Sequence, residues 1–499
     1  MKTNVAAAPW LHGVDGLAEK AVELRGHMER QHDVIAAEAR YLARPHLRSR
    51  TTLEALERTS TRWVFTAVVG LVDSLGGRVR RQRPGTSPAV RHAQDLVRAG
   101  GPFYVKLGQY VATAEGLLPR EWVAAFAWCR DEVEPMAPEE ALRVLAAELG
   151  RPLSEVFAWF DSTPCAAASI AQVHFARLHD GTEVVVKVQR PGLRTRFEQD
   201  IRVLAVVCEA AHRTSKRARI ANLPGVLETF AELVLTELDF RIEALNMIDI
   251  GVANEAAGLD YVRVPRPIPS LVHERVLVME RLPGVPYTQA REQYGDRVDG
   301  EKIVRAFTYG VLEHTLLHGV FHGDLHAGNV LICENGDVSL VDYGIAGRVT
   351  EHERSVLLRL LVGALQRDFA GQVDAMIELG SLPEVFDREL VVRELERHAD
   401  WAFELVDRSF HEIDLSDVTR QINEGIRLLA AQGFRLPTTL ALFSKNLLYL
   451  NGAMASLAPT MNLFQELEPL IVHLTTKYPG EVSGLMTAMT TATSKAPSK

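Results

Sequence analysis

The chain has 499 residues, 47% hydrophobic and 24% charged, with a formal net charge of −9. That composition is ordinary for a globular protein of two or three structural units, and its acidic balance gives no reason to expect nucleic acid as a partner. The four cysteines, Cys129, Cys165, Cys208 and Cys333, form no C-x-x-C pair, which argues against a disulfide framework or a zinc site and suits a reducing cytoplasm. Residues 1–10 lack the charged-then-apolar order of a signal peptide. The nearest approach to a membrane span, residues 63–72, is far short of the ~20 apolar residues required. The expectation is a cytoplasmic protein, at most peripheral at the inner face of a membrane.

Residues 14–60 place charges among Leu, Ala and Val at helical spacing, which predicts one or two amphipathic helices. The stretch 76–88, rich in Gly, Arg and Pro, reads as a linker. Its arginines, Arg78, Arg80, Arg81 and Arg83, suit a solvated linker first and anionic phospholipid second. Helical patterning returns from about 90 to 158, with Pro102 at a first-turn position. Then the spacing changes. Residues 172–178 and 183–189 are short alternating or β-branched runs around His179-Asp180-Gly181-Thr182, a hairpin signal. Helix is predicted again from about 196 to 257, a strand over 275–280, and a break at Leu282-Pro283-Gly284. Beyond it the chain reads as helical to about 457, apart from a second hairpin, 330–333 and 338–342, around Asn335-Gly336-Asp337.

This order predicts an α+β, two-lobed protein-kinase-like fold with a small β-rich N-lobe, a large helical C-lobe and a helical N-terminal extension. The boundaries read as 1–90 for a helical region and basic linker, 91–158 for a helical extension, 159–281 for the N-lobe with a helical insertion, 282–462 for the C-lobe, and 463–499 for a polar tail.

Phosphoryl transfer needs a cation on the non-transferred phosphates, oxygen ligands for magnesium and a group to orient the acceptor. His322-Gly323-Asp324-Leu325-His326-Ala327-Gly328-Asn329 carries the Asp-then-Asn spacing of a kinase catalytic loop. Asp324 would orient the acceptor hydroxyl or water, and Asn329 would give a neutral oxygen to magnesium. The second hairpin leads to Asp342-Tyr343-Gly344, a variant of D-F-G, with Asp342 as the main magnesium ligand. Lys187, in the strand after the first hairpin, would pair the nucleotide phosphates. Of the carboxylates on the following helical stretch, Glu243 is the preferred partner for Lys187, with Glu237 close behind. Ala166, Ala167, Ala168 and Ser169 stand where a glycine-rich phosphate loop is expected, and Glu280, at the end of the 275–280 strand, joins the nucleotide-binding set. Gly323 replaces the arginine with which protein kinases grip an activation-loop phosphate. The capping box Thr350-Glu351-His352-Glu353 starts a helix only six residues after Gly344. Together these disfavour a protein substrate. His314, His318, His322 and His326 recur every four residues, but Gly319 and Gly323 interrupt them, so His322 is read as support for the loop backbone rather than as a zinc ligand.

Together the motifs resemble the UbiB/AarF family of atypical kinases, over roughly residues 100–462. The resemblance rests on Lys106-x-Gly108-Gln109 with Leu117-Leu118-Pro119, and on the alanine-rich loop followed by Gln172-Val173-His174. Glu237-x-Asp239, the two catalytic motifs, and Leu436-Pro437 leading to Asn451-Gly452 and Leu457-x-Pro459 complete it. It implies ATP (or ADP) and Mg2+ as cofactors. Lys106 and Gln109 would be gating residues folded over the active site. The acceptor would be water or a small or lipidic molecule, with a link to isoprenoid-quinone or lipid metabolism. Ala171 stands where that family has glycine, and no C-terminal membrane hairpin is read. Two other readings fit part of the pattern: a nucleotide-binding scaffold of the pseudokinase type, and a small-molecule phosphotransferase of the aminoglycoside or choline kinase type.

Overall fold

The computed structural model describes residues 8–45, 88–112, 120–130, 134–220, 222–380, 382, 385–406, 432–434, 438–461 and 463–482. The basic linker, the 63–72 run, 117–119, 436–437 and the end of the polar tail lie outside them. The strands among the described residues are β1 (Phe157–Phe160), β2 (Ala166–Ala167), β3 (Ala171–Leu178), β4 (Glu183–Gln189), β5 (Val262–Arg263), β6 (Pro267–Val272), β7 (Val276–Glu280), β8 (Val285–Pro286), β9 (Val320–His322), β10 (Val330–Ile332), β11 (Val338–Leu340) and β12 (Ala346–Arg348). The chain divides into a sheet unit, Leu11–Ile248 with Arg266–Arg281, and a helical unit, Met1–Trp10, Asp249–Pro265 and Leu282–Lys499.

The sheet unit is built on an antiparallel sheet in the order β1-β3-β4-β7-β6, with β2 on β3. The first predicted hairpin is β3–β4. Asp180 accepts from Thr182 N–H at 2.8 Å, and Gly181 supplies the positive φ of 90° that the tight turn needs. Alternation along β4 buries Val184, Val186 and Val188 in one core cluster, where the helix Pro138–Leu149 adds Ala141, Val144 and Leu145. The unit also holds helices α1 (Leu17–Leu42), α2 (Pro102–Ala112), α3 (Leu193–Thr214), α4 (Leu223–Thr236) and the first half of α5 (Phe240–Ala257). Helix α2 begins at Pro102, as expected. The stretch read as helical from 196 to 257 breaks at 237–239, where Asp239 accepts the Arg241 N–H at 3.1 Å and restarts the chain as α5.

The helical unit holds helices α6 (Gly300–Glu313), α7 (Glu351–Gln366) and α8 (Thr438–Leu457). Their core includes Leu312, Phe321, Ile345, Leu357, Leu358, Leu442 and Phe443. One sheet runs β5-β11-β10-β8, and β12 pairs β9. Residues 249–265, assigned with the small lobe from sequence, fall in this unit, where β5 pairs in parallel with β11. The short strands β5, β8, β9 and β12 went unread because two or three residues give no period to detect. The capping box forms as predicted: Thr350 N–H donates to the Glu353 carboxylate at 2.8 Å, and Glu353 N–H to Thr350 Oγ1 at 3.2 Å.

Candidate active site

In the sheet unit, strand alternation that buries three valines on one face of β4 turns Lys187 to the other. There it is only 6% exposed. An ammonium at that depth needs a counter-charge. Glu243, in the first turn of α5, supplies it through both carboxylate oxygens, at 2.8 and 3.0 Å. The Lys187 ammonium also lies 5.3 Å from the centre of the Phe240 ring. Glu237 faces elsewhere. It ends α4 and pairs with Lys106 of α2 at 2.5 Å. Asp239, between them, takes a bidentate grip from Arg241 at 2.8 and 2.9 Å and a contact from His27 Nε2 of α1 at 2.7 Å. Burial works against ionisation of Asp239, but the hydrogen bonds from Arg241 and His27 prevail and hold its carboxyl below the usual range. Three carboxylates read from sequence as one set thus have three different basic partners.

Gln109, one turn beyond Lys106, donates to the Cys129 carbonyl at 2.9 Å and accepts from Ser169 Oγ at 3.4 Å. The K-x-G-Q helix and the alanine-rich segment therefore meet directly. Ala166 and Ala167 form β2 on Val173 and Gln172, and Ala168 N–H donates to the Ala171 carbonyl at 2.7 Å. None of these alanines has positive φ, so their Cβ atoms carry no backbone strain. Arg190, which the sequence gave no reason to single out, anchors the turn by donating to the Ala168 carbonyl at 3.1 Å. Glu280 closes β7, and its carboxylate accepts the Arg266 N–H at 3.0 Å.

In the helical unit, His322 organises the loop over residues 322–329. Its Nδ1 accepts from Asp324 N–H at 3.1 Å and its Nε2 faces the Val341 carbonyl at 3.2 Å, one residue before Asp342. A neutral ring with its proton on Nε2 satisfies both contacts. Burial lowers the His322 pKa, against the pull of the Asp324 and Asp342 carboxylates. His322 therefore ties the two motifs together as a structural residue. The side chain of Asn329 donates to the Asp324 carbonyl at 3.0 Å, an orientation that leaves its own carbonyl oxygen for another partner. Asp342 has φ of 60°, one of three non-glycine residues with positive φ among the described residues. Backbone strain held at a carboxylate of this kind is a mark of functional positions. Tyr343 is fully buried with its ring edge-on to His322, the centroids 4.9 Å apart. A Cβ on Gly323 would stand 2.6 Å from Ile345 Cγ2 and 3.0 Å from its carbonyl oxygen, so a side chain at that position would force the segment leading into β12 to shift.

A family model described as the ABC1 atypical kinase-like domain matches residues 129–376. An aarF domain-containing protein kinase of Arabidopsis thaliana chloroplasts, itself uncharacterized, is 32% identical over 75% of this chain and 73% of its own length. A probable protein kinase UbiB of Pseudomonas paraeruginosa is 32% identical over 76% of this chain and 69% of its own. This chain belongs to the UbiB/AarF family of atypical kinases. An uncharacterized Mycobacterium tuberculosis protein, Rv0647c, is 33% identical over 83% of both chains. The solved complex of Rv3197 with erythromycin, from the same organism, aligns at 22% identity with a TM-score of 0.43, over 71% of this chain and 91% of its own. The family model and the antiparallel sheet among helices make the fold kinase-like and α+β. No described helix is long and apolar enough to cross a membrane.

Asp342 and Asn329 bring one carboxylate and one amide oxygen, donor types that suit a hard cation. Sequence reasoning missed two residues of α8. Asn446 is fully buried and donates to the His322 carbonyl at 2.5 Å, 124 positions away in the chain. Lys445 forms an ion pair with Asp324 at 2.9 Å. Neither carries a local signal, because a single Lys-Asn in a helix looks like any solvated pair.

Proposed function

We propose that this chain is an ATP- and magnesium-dependent atypical kinase or ATPase whose phosphoryl acceptor is water or a small, lipid-associated molecule. The observation that carries the reading is the buried Lys187–Glu243 pair. Buried ion pairs stabilise folds poorly, since desolvation offsets their attraction. Their retention is accounted for when the lysine must stand charged at a fixed point, as the cation for the non-transferred phosphates must. Bound magnesium would supply charge neutralisation at the γ-phosphoryl oxygens. Asp324 would orient the acceptor and accept its proton, and the buried Tyr343 would hold Asp342 in its strained conformation.

Two features support a small acceptor over a peptide. The strand β12 follows Gly344 almost at once and pairs with β9, and α7 begins at Glu351, which leaves no long segment to cradle a polypeptide. In the sheet unit, Lys106 and Gln109 are committed to Glu237 and Ser169, contacts that would hold the alanine-rich loop and restrict what reaches a nucleotide beneath it. The same contacts favour a second reading, in which the nucleotide-bound conformation is the output and turnover is incidental.

The test is steady-state ATP hydrolysis by wild type and Asp342→Asn, with and without anionic liposomes and a phenolic quinone-precursor mimic. Asparagine tolerates positive φ, so the variant keeps the backbone while losing the charge. Turnover raised by lipid or phenol and lost in the variant is the expected result. Magnesium-dependent nucleotide binding without turnover under any condition would favour the nucleotide-gated scaffold.

A further inference from the structure

Helix α8 reaches the catalytic loop with two adjacent side chains. Asn446 holds the His322 carbonyl at 2.5 Å, and Lys445 places its ammonium 2.9 Å from Asp324 Oδ1. Both partners of the ion pair are mostly shielded, the lysine side chain at 16% exposure and the aspartate at 22%. One turn along α8, Tyr449 closes the arrangement. The Lys445 ammonium lies 5.5 Å from the centre of its ring, and the same ring stands 6.4 Å from His326 of the loop. The apolar face of α8 is anchored separately by Leu442 and Phe443 in the core cluster. Packing therefore accounts for the helix without accounting for the lysine. Shielding costs an ammonium hydration that one ion pair restores only in part.

The charge arrangement around the loop gives the lysine a purpose. Asp324 N–H meets His322 Nδ1, and the Val341 carbonyl that faces Nε2 leads directly into Asp342, so two carboxylates converge on this loop. A transferring phosphoryl group would bring further negative charge to the Asp324 carboxylate, and like charges at that range oppose one another. Lys445 is a cation already on Asp324, delivered by an element outside the catalytic motifs.

We propose that Lys445 is a positioning residue of the phosphoryl-transfer reaction. Its ammonium fixes the rotamer of the Asp324 carboxylate and offsets its charge as the phosphoryl group approaches. The inference rests on the ATP-dependent reading above. In that step the acceptor oxygen forms a bond to the γ-phosphorus, and the bond from that phosphorus to the β–γ bridging oxygen breaks. The electron pair of the broken bond leaves with ADP, and the acceptor proton passes to Asp324. Lys445 gains and loses no bond; it acts through the carboxylate.

The experiment compares ATP hydrolysis and binding of a fluorescent ADP analogue with magnesium in the full chain. The variants are Lys445→Met, Lys445→Arg, Asp324→Asn, the Lys445→Met/Asp324→Asn pair, and Asp342→Asn. The expected result is a fall of roughly 10- to 100-fold in kcat for Lys445→Met. KM for ATP and affinity for the analogue should stay within about twofold, and Lys445→Arg should recover most of the rate. In the Asp324→Asn background, Lys445→Met should cost nothing further, because its partner is already gone. An equal loss in both backgrounds, an unchanged kcat, or a loss that follows nucleotide affinity and melting temperature would overturn the inference. If Asp342→Asn abolishes turnover while Lys445→Met leaves kcat unchanged, only this inference fails. If Asp342→Asn leaves turnover intact, the ATP-dependent reading fails and carries the inference with it.

Discussion

Lys187 and Glu243 are buried to 6% and 3% exposure, so each is the other's main defence against the cost of a charge without water. Replacing Glu243 by glutamine removes that carboxylate charge from beside a shielded ammonium. Glu243→Gln should destabilise the sheet unit by about 3 kcal/mol, the usual cost of breaking a buried pair from one side. It should show as a lower urea midpoint with an unchanged slope. Lys187→Met/Glu243→Gln should recover part of that stability, since no lone charge remains. Turnover should be lost in both, which separates the lysine's service to the fold from its service to the nucleotide.

Helix α2 carries Lys106 and Gln109, and its position depends on one atom's worth of space. A Cβ on Gly108 would meet Cys129 Sγ at 2.6 Å, with Phe126 and Val97 at 3.2 and 3.3 Å. The glycine lets the helix lie against its neighbours closely enough for Gln109 to reach the Cys129 carbonyl and Ser169. Gly108→Ala overpacks this contact and should cost about 1–3 kcal/mol in spite of alanine's better helix propensity. The measurement is denaturant unfolding of Gly108→Ala beside Gly26→Ala in α1, where an added Cβ would meet the flexible end of Arg30 at 3.3 Å. Only the second substitution should leave stability unchanged or raise it.

At the scale of the whole molecule, global stability should depend on pH through histidines kept neutral by burial. His314, fully enclosed after α6, has its pKa pushed down to about 3 by burial and by neighbouring His318. Between its unfolded value near 6.5 and about 3, the unfolded chain binds a proton that the folded chain does not. Its contribution is therefore whole above pH 6.5 and falls by about 1.4 kcal/mol per unit as pH drops below that. Asp200 in the sheet unit runs the other way, its carboxyl raised to about 7 by burial. It retains a proton that the unfolded chain loses, so its term weakens folding as pH rises toward 7. Comparing urea midpoints at pH 7.5 and 5.5, the change on acidification should be more favourable in His314→Leu than in wild type by about 1.4 kcal/mol, with the Asp200 term common to both.

Motif spacing alone determined the kinase-like architecture and the family, because those signals are local. A turn needs its Asp-Gly, a metal site its oxygen donors, and a catalytic loop its fixed interval of residues. Strand alternation likewise set Lys187 apart from Val186 and Val188. The partners were decided only in three dimensions. Glu237, Asp239 and Glu243 lie within seven positions, yet a break between α4 and α5 sends them to Lys106, Arg241 and Lys187. No periodicity shows that break, since Asp239 works as a cap and as a helix residue with equal plausibility in the sequence. Lys445 and Asn446 were invisible for a related reason: the contact joins residues more than a hundred positions apart, and a charge acts on whatever the fold brings within a few ångströms.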